Sequence, residues 1–275
     1  MTKILDGKKL SDRILDNLKR EIKNRRLKLR LAVILIGENP VPEIFINQKK
    51  KTCEKTGIDF KLFKFPSKIK PQVLKKEVEK IVKNSVNSGV IIQLPLPKRL
   101  NVQEILDIVS QEKDVDVLSE KSLGKFYQGT LNILPPTVEG ILRLLKEYKL
   151  KLKEKNIVIV GAGRLVGFPL AIQLLREKAT ISVLNEFTRD APFFTRKADI
   201  LISGVGKPNL IKENMIKKGA VVIDAGTAMK NGKLVGDVDF KSVSKKASFL
   251  TPVPGGVGPM TVACLLKNLV KLSEK

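Results

Sequence analysis

The chain has 275 residues, enough to bury a sizeable core in one or two domains. Hydrophobic residues make up 43% of it and charged residues 29%, and no apolar run approaches the roughly 20 residues that a membrane span needs. Lysine and arginine number 52 against 28 acids, which gives a net charge of +24, and the absence of histidine excludes imidazole as an acid, base or metal ligand.

The positive charge makes a nucleic-acid-binding protein an alternative. However, the lysines are spread along the whole chain and aromatic residues make up only 5% of it. We interpret the charge as that of a lysine-rich host proteome and predict neither a nucleic-acid nor a membrane partner. The N-terminal segment lacks the apolar stretch of a secretory signal, and Cys53 and Cys264 lie far apart in helical patterns. We therefore expect a cytoplasmic protein with reduced thiols and no metal site.

The first half of the chain alternates helical and extended patterns. Helices are predicted within residues 1–30 and over residues 43–56, 71–83 and 101–109, the last with a capping box formed by Asn101 and Glu104. Strands are predicted over residues 31–36, 60–65 and 89–93, and a loop over residues 37–42. This alternation indicates an α/β fold with parallel pairing, in which ligands bind beyond the carboxyl ends of strands.

Three polar side chains stand at or near such ends. Lys49 shares a largely apolar helix face with Phe45 and Cys53. A partly desolvated lysine has a lowered pKa and acts as a base near neutral pH, unless its stem carries the amine out to water. Gln93 ends an apolar strand, where its amide either orients another group or caps the backbone. Asp116 either fixes the edge of a guanidine-like ring or is an ordinary loop carboxylate.

The second half of the chain is organised around residues 156–169, with the sequence NIVIVGAGRLVGFP. An apolar run meets three glycines and then a helical pattern, which predicts a strand, a glycine turn and a helix that can hold a pyrophosphate. These glycines are Gly161, Gly163 and Gly167. A second strand over residues 180–184 precedes Glu186, which is placed to bind a ribose 2′-OH. The spacing is GxGxxxG rather than GxGxxG, so a βαβ turn without a nucleotide is the alternative.

Eight segments in order resemble the bifunctional methylenetetrahydrofolate dehydrogenase/methenyltetrahydrofolate cyclohydrolase family. They are GENPVPEIFINQKKKTCEKTGI, VIIQLPLPKRLN, EKDVDV, LPPTVEGILRLL, IVGAGRLVGFPLA, GAVVIDAG, GDVDF and TPVPGGVGPMTVACLLKN. The resemblance covers nearly the whole chain, and QLPLP with TPVPGGVGPMT is close to diagnostic.

The resemblance implies oxidation of 5,10-methylenetetrahydrofolate by hydride transfer to a nicotinamide cofactor, then hydrolysis of the methenyl product to 10-formyltetrahydrofolate. It implies two α/β domains with a cleft between them. Residues 1–134 would form the folate-binding catalytic domain and residues 135–254 the Rossmann domain, while residues 255–275 would form a helix that returns to the first domain. Homodimers associating through the nucleotide-binding domain are also implied.

By the same resemblance, Lys49 assists attack of water on the methenyl carbon, Gln93 positions and tunes Lys49, and Asp116 anchors the pterin ring. The other implied folate-binding residues are Phe45, Leu94, Pro254, Gly255, Gly256, Val257 and Thr261. The implied cofactor-binding residues are Thr137, Gly161, Gly163, Arg164, Leu165, Val166, Gly167, Glu186, Gly204 and Thr227.

The chain departs from the family pattern near these residues. Phe45 replaces the usual Tyr and Pro42 a usual Ser, while DVDGFH and PCTP become DVDVLS and PPTV. Phe45 keeps a ring for stacking on the pterin but cannot relay a proton. Our hypothesis is that cyclohydrolase activity is weakened more than dehydrogenase activity, and the alternative is a dehydrogenase with little or no cyclohydrolase activity. A nucleic-acid-binding protein is a remote alternative, which salt-sensitive retention on DNA that competes with NAD would favour.

The second departure concerns the cofactor. Typical NADP-using members carry Arg-Ser in the glycine turn and a Ser after the second strand, and these groups hold the 2′-phosphate. Here Ala162-Gly163 and Glu186 stand in those places. A carboxylate repels a 2′-phosphate but accepts a hydrogen bond from a free 2′-OH, so we predict that NAD is preferred over NADP. NADP remains an alternative because the side chain of Arg164 or Arg189 can turn toward a phosphate.

Overall fold

A computed structural model describes residues 1–37 and 40–274, and of residues 40–42 it describes the backbone alone. The strands are β1 (Lys3–Ile4), β2 (Arg30–Ile36), β3 (Asp59–Phe65), β4 (Gly89–Ile92), β5 (Asn156–Val160), β6 (Thr180–Leu184), β7 (Ile200–Ser203), β8 (Val221–Asp224), β9 (Ala228–Lys230), β10 (Lys233–Val235) and β11 (Phe249–Leu250). The helices are α1 (Gly7–Asn24), α2 (Pro40–Thr56), α3 (Pro71–Lys83), α4 (Val102–Leu106), α5 (Glu120–Gln128), α6 (Pro136–Glu147), α7 (Gly167–Arg176), α8 (Ala191–Thr195), α9 (Phe240–Val243) and α10 (Val257–Leu272).

The chain divides into two compact units. The first consists of Met1–Ser11 with Thr137–Thr261, and the second of Asp12–Pro136 with Val262–Lys275. We call them the six-stranded unit and the three-stranded unit after their main sheets. Among the described residues, no helix combines the length and the apolar composition that crossing a membrane requires.

The three-stranded unit is built on a parallel sheet in the order β3-β2-β4. Its central strand reads RLAVILI because alternate side chains enter two different cores. Leu31, Val33 and Leu35 pack with residues of α1, α2 and α10, while Ala32 and Ile34 pack with residues of α3 and α4. The prediction of a strand buried on both faces is therefore confirmed.

The six-stranded unit has a parallel sheet in the order β1-β11-β8-β7-β5-β6, together with the antiparallel hairpin β9-β10. Strand β5 pairs with β6 on one side and with β7 on the other. The strand order therefore reverses at β5, and doubly wound sheets bind ligands beyond the carboxyl ends of the strands at such a point. The observed two-domain α/β architecture with parallel sheets agrees with the predicted fold class.

The N-terminal residues belong to a different unit from the one predicted from the sequence. The prediction assigns residues 1–134 to one domain, but Met1–Ser11 belong to the six-stranded unit. Lys3 and Ile4 pair in parallel with Phe249 and Leu250, so β1 is one edge strand of the six-stranded sheet. Two strand residues in a charged segment are too few to show a strand periodicity.

Two helix boundaries also differ. The loop predicted over residues 37–42 is shorter, since α2 begins at Pro40. Proline is tolerated in the first turn of a helix because its missing N–H would have no intrahelical acceptor there. Glu38, Asn39 and the side chain of Pro42 lie outside the described residues. The helix predicted to run through residue 109 ends at Leu106, although Asn101 caps its start as expected, accepting from the N–H of Glu104 at 3.4 Å.

Candidate active site

Lys49 and Gln93 meet in the three-stranded unit. Lys49 lies on α2 and is only 9% exposed. Its Nζ donates a hydrogen bond to Gln93 Oε1 at 2.8 Å. Gln93 follows β4, and its Nε2 donates to the carbonyl oxygen of Leu94 at 3.0 Å. This second bond turns the amide so that its oxygen, a pure acceptor, faces the lysine.

Burial sets the proton affinities around Lys49. Loss of hydration lowers the pKa of Lys49, and the negative charge of Asp116 opposes this shift. Burial likewise raises the pKa of Asp116 to about 6, with Lys49 opposing this shift and Asp114 adding to it. The pKa of the Cys53 thiol rises to about 12 for the same reason, so this thiol is protonated at neutral pH. Burial therefore shifts Lys49 toward its neutral form and keeps the Cys53 thiol protonated.

The segment that carries Asp116 is held by Asp114. The buried Asp114 carboxylate accepts from the N–H of Leu118 at 3.1 Å, and from the N–H and hydroxyl of Ser119 at 2.9 and 2.7 Å. Between them, Val117 has a left-handed φ of 58° although it is β-branched and fully buried. This conformation is costly for valine, so the surrounding contacts must impose it. Asp114 thus shapes the turn from which Asp116 projects.

Asn268 of α10 supports the same segment from its other side. The buried Asn268 Nδ2 donates to the carbonyl oxygens of Val115 at 3.0 Å and Leu134 at 2.8 Å. Gly89 permits the close packing, because a Cβ there would lie 2.5 Å from Leu269 Cδ1 and 2.6 Å from Val115 Cγ1. Asp114 and Asn268 are not among the residues predicted from the sequence.

The structure therefore brings Lys49, Gln93 and Asp116 together. Leu94 follows Gln93 directly, and Phe45 lies one helical turn before Lys49, partly exposed. This arrangement can take a proton from a water molecule and, through a carboxyl group, bind a hydrogen-bonding ring edge.

The predicted glycine turn lies in the six-stranded unit, between β5 and α7. Gly161 has a φ of 104°, and a Cβ on it would lie 2.9 Å from the Gly204 oxygen. A Cβ on Gly167 would lie 1.9 Å from the Gly161 oxygen, so these glycines are required by the packing of the turn itself. Gly163 is exposed, and a Cβ there would meet no heavy atom within 4 Å. Open space beside a glycine-rich backbone at a helix start suits the pyrophosphate of a dinucleotide.

The charged residues predicted to distinguish NAD from NADP are exposed. Glu186 stands two residues after β6, in a turn where Asn185 Oδ1 accepts from the N–H of Phe187 at 3.0 Å. Arg164 and Arg189 are exposed as well, and so is Leu165. Water and salt screen charges in such positions.

The remaining predicted residues fall into three groups within the six-stranded unit. Thr137 and Thr261 lie on α6 and α10, with 3.2 Å between their hydroxyl oxygens. This contact joins a predicted cofactor residue to a predicted folate residue. The segment containing Pro254, Gly255, Gly256 and Val257 precedes α10, and Gly255 O accepts from the N–H of Lys8 at 2.8 Å.

Gly204, Val166 and Thr227 belong to the loops near the glycine turn. A Cβ on Gly204 would lie 2.9 Å from Val166 Cγ1, so the loop after β7 packs directly on the turn after β5. A Cβ on Gly206 would lie 3.4 Å from the Thr227 oxygen, which places the loop after β8 beside the loop after β7. These predicted residues therefore cluster at the carboxyl ends of β5, β7 and β8.

Comparison with known proteins identifies the family of both parts of the chain. Residues 5–116 match the tetrahydrofolate dehydrogenase/cyclohydrolase catalytic domain, and residues 135–275 match the NAD(P)-binding domain of the same family. The bifunctional protein FolD of Aquifex aeolicus is 46% identical over 276 residues, which cover 98% of this chain and 95% of that protein.

Solved structures agree as well. The bifunctional methylenetetrahydrofolate dehydrogenase/cyclohydrolase FolD from Campylobacter jejuni is 40% identical, with a TM-score of 0.94 over 99% of this chain and 98% of that chain. The Trypanosoma brucei FolD structure, complexed with NADP cofactor and inhibitor, is 31% identical, with a TM-score of 0.93 over 98% and 97% of the two chains. The chain therefore belongs to the tetrahydrofolate dehydrogenase/cyclohydrolase family.

Proposed function

We propose that the protein oxidises 5,10-methylenetetrahydrofolate with a nicotinamide cofactor and hydrolyses the resulting 5,10-methenyl cation to 10-formyltetrahydrofolate. The observation that carries the proposal is the buried Lys49 amine, hydrogen-bonded to Gln93 and coupled to Asp116. Assigning the folate chemistry to the three-stranded unit and the dinucleotide to the six-stranded unit follows from where these residues lie.

Hydrolysis requires a group that accepts a proton from the attacking water. Burial lowers the pKa of Lys49, and its neutral amine would take that proton as the water oxygen bonds to the methenyl carbon. The ammonium then returns a proton to the ring nitrogen as the bond between that nitrogen and the methenyl carbon breaks. One proton is released overall. Gln93 Oε1 accepts from Nζ and keeps the amine oriented throughout. Asp116 would bind the pterin edge, because a carboxylate pairs well with a guanidine-like donor set.

Hydride transfer requires mainly the positioning of two rings. When bound, a nicotinamide cofactor would supply the acceptor for the hydride of the methylene carbon. The residues that would hold the dinucleotide are the glycine turn with Gly163 and Arg164, together with Thr137, Gly204 and Thr227. The open space at Gly163 and the clustering of these loops at the reversal of strand order support this assignment.

We further propose that NAD is preferred over NADP. Glu186 stands at the exposed turn after β6, where an acid accepts from a ribose 2′-OH and repels a 2′-phosphate. The relative from Trypanosoma brucei was solved with NADP, so the family framework also accommodates the phosphate. Matched assays of methenyltetrahydrofolate formation with NAD and NADP test the preference, and faster turnover with NADP would contradict it.

Phe45 leads us to propose a cyclohydrolase that is slower relative to the dehydrogenase than in members with a tyrosine there. The residue lies on the Lys49 face of α2 and supplies no hydroxyl. We expect Phe45→Tyr to raise cyclohydrolase turnover severalfold, because one added hydrogen bond to a reacting group is worth roughly 1 kcal/mol. Dehydrogenase turnover should stay within about twofold. Phe60→Tyr, on β3 of the same unit, is the control, and an unchanged cyclohydrolase in Phe45→Tyr would contradict the proposal.

A homodimer formed through the six-stranded unit is also proposed. Strand β6 is an edge of its sheet, and apolar side chains around it are exposed in the single chain. They are Phe168, Leu175, Val183, Phe187 and Phe193. Light scattering should give twice the chain mass for the protein and the monomer mass for Val183→Lys. The buried free thiols of Cys53 and Cys264 suit a reducing cytoplasm, where we propose that the protein works.

A further inference from the structure

The loop after β7 is fastened to a buried carboxylate outside the predicted site. Asp237 is fully buried, and its Oδ2 accepts from the Ser203 hydroxyl and the Val205 N–H, both at 2.7 Å. Its Oδ1 accepts from the N–H groups of Gly206 and Lys207, both at 2.8 Å. These four bonds use roughly all the acceptor positions that a carboxylate offers. Three successive backbone N–H groups of one loop are therefore fixed by one side chain.

A second carboxylate holds Asp237 in place. Asp224 ends β8 and accepts from the N–H groups of Gly226 at 3.0 Å, Asp237 at 3.1 Å and Val238 at 2.9 Å. Two glycines make room for this pair of acids. A Cβ on Gly226 would lie 2.1 Å from the Asp237 carboxylate, and one on Gly236 would lie 2.0 Å from Asp224 Oδ2. The motifs DAG and GDVD are thus parts of one buried support.

The supported loop lies where the strand order reverses. Its first residue, Gly204, donates its N–H to the Val160 oxygen at the end of β5, at 2.9 Å. A Cβ on Gly161 would lie 3.1 Å from Val205 Cγ2, so the Val205 side chain borders the glycine turn. Val205 is nonetheless 46% exposed, an apolar surface at the edge where ligands of doubly wound sheets bind.

We infer that Asp237 is a positioning residue for the nicotinamide cofactor. It holds residues 205–207 so that Val205 and the adjoining backbone already lie beside the glycine turn before the dinucleotide binds. Asp237 is buried behind this loop and acts through it. The inference rests on the dinucleotide site proposed above, and it assigns the acid to cofactor affinity rather than to folate chemistry.

The test is Asp237→Asn, which keeps the size of the side chain but turns one acceptor oxygen into a donor facing N–H groups. We expect the dissociation constants of NADH and NADPH, measured by their fluorescence on titration with protein, to rise about tenfold. The KM for the oxidised cofactor should rise in parallel. Hydrolysis of methenyltetrahydrofolate, which uses no nicotinamide cofactor, should keep its kcat and KM within about twofold.

Asp199→Asn is the matched control, since Asp199 precedes the same strand at its amino end. It accepts from the Asn156 N–H at 2.8 Å and pairs with Lys217, away from the loop. Its cofactor dissociation constants should stay within about twofold. If Asp237→Asn does not fold, Ser203→Ala removes one donor to the same carboxylate and should weaken cofactor binding about threefold.

The outcomes separate the inference from the function on which it rests. Cofactor affinity unchanged in the variant that folds, or cyclohydrolase activity lost in proportion to cofactor affinity, would overturn the positioning role. A wild-type protein that binds neither NADH nor NADPH would instead overturn the dinucleotide site itself.

Discussion

The Lys49 site and the glycine turn place their charged groups in opposite environments. Lys49 is 9% exposed and its proton affinity depends on the charge of Asp116, whereas Arg164 in the glycine turn and Glu186 in the turn after β6 are exposed. In the first region burial shifts a pKa, so one charge determines the chemistry of its neighbours. In the second, water screens each charge, so one charge adjusts which ligand binds. In the proposed function, catalysis and cofactor choice would therefore depend on differently solvated parts of the chain.

The largest effect should come from Lys49→Met, which removes the amine while filling its space. We expect cyclohydrolase kcat to fall by about 100-fold or more, because the water loses its proton acceptor. Dehydrogenase activity should fall much less, since hydride transfer depends on positioning. Both rates are measured separately from their own substrates.

The control is Lys50→Met, at the next and exposed position of α2. It should change neither rate by more than about twofold. Equal losses of both activities in Lys49→Met would mean that Lys49 supports the fold or substrate binding rather than proton transfer.

Burial should also shift the pKa of an acid in the six-stranded unit. Burial raises the pKa of Asp224 to about 6, so between its unfolded pKa near 4 and pH 6 the folded protein binds more protons than the unfolded chain. Its contribution to the free energy of unfolding therefore falls as the pH rises through this window, by up to about 3 kcal/mol.

Comparing wild type with Asp224→Asn by denaturant unfolding isolates this contribution. The variant should gain stability relative to wild type between pH 4 and pH 7, because it carries no titrating acid at that position. The opposite shift at Lys49, whose lowered pKa favours the folded state as the pH rises toward its unfolded pKa, is common to both proteins and cancels. Parallel pH curves for the two proteins would show that burial leaves Asp224 unperturbed.

Glu186→Ser tests whether an exposed charge determines the choice between NAD and NADP. Removing the carboxylate takes away the acceptor for the 2′-OH and the repulsion of the 2′-phosphate, so the ratio of kcat/KM for NAD to that for NADP should fall about tenfold. Cyclohydrolase activity should not change. Glu154→Ser, another exposed acid of the same unit, should leave the ratio within about twofold. A ratio unmoved by Glu186→Ser would assign cofactor choice to other groups of the turn.

The sequence predicts features that depend on residues close together in the chain, and it does not predict contacts between residues far apart in the chain. Gln93 and the glycine turn stand at element ends and Lys49 stands on an apolar helix face, features that local patterns reveal. The supports of those groups do not, because Asn268 reaches a carbonyl 153 residues away and Asp237 a hydroxyl 34 residues away. Strand β1 is missed for the same reason, since its partner strand lies near the other end of the chain. Local periodicity carries no information on such pairings.

The smallest effect concerns Val117, where the buried site stores backbone strain. Val117→Gly relieves a left-handed φ that costs a β-branched residue roughly 1–2 kcal/mol. It also loses a buried side chain and gains unfolded-state entropy, which together cost more. We expect a net loss of about 1–2 kcal/mol in the free energy of unfolding.

Val90→Gly is the matched control, because Val90 is equally buried but lies in the extended backbone of β4. No strain is relieved there, so denaturant unfolding should show a loss about 1–2 kcal/mol larger than for Val117→Gly. Equal losses would mean that the left-handed valine is not strained. A smaller loss for Val117→Gly accompanied by weaker folate binding would show that the strained turn, held by Asp114, keeps Asp116 in place at the expense of stability.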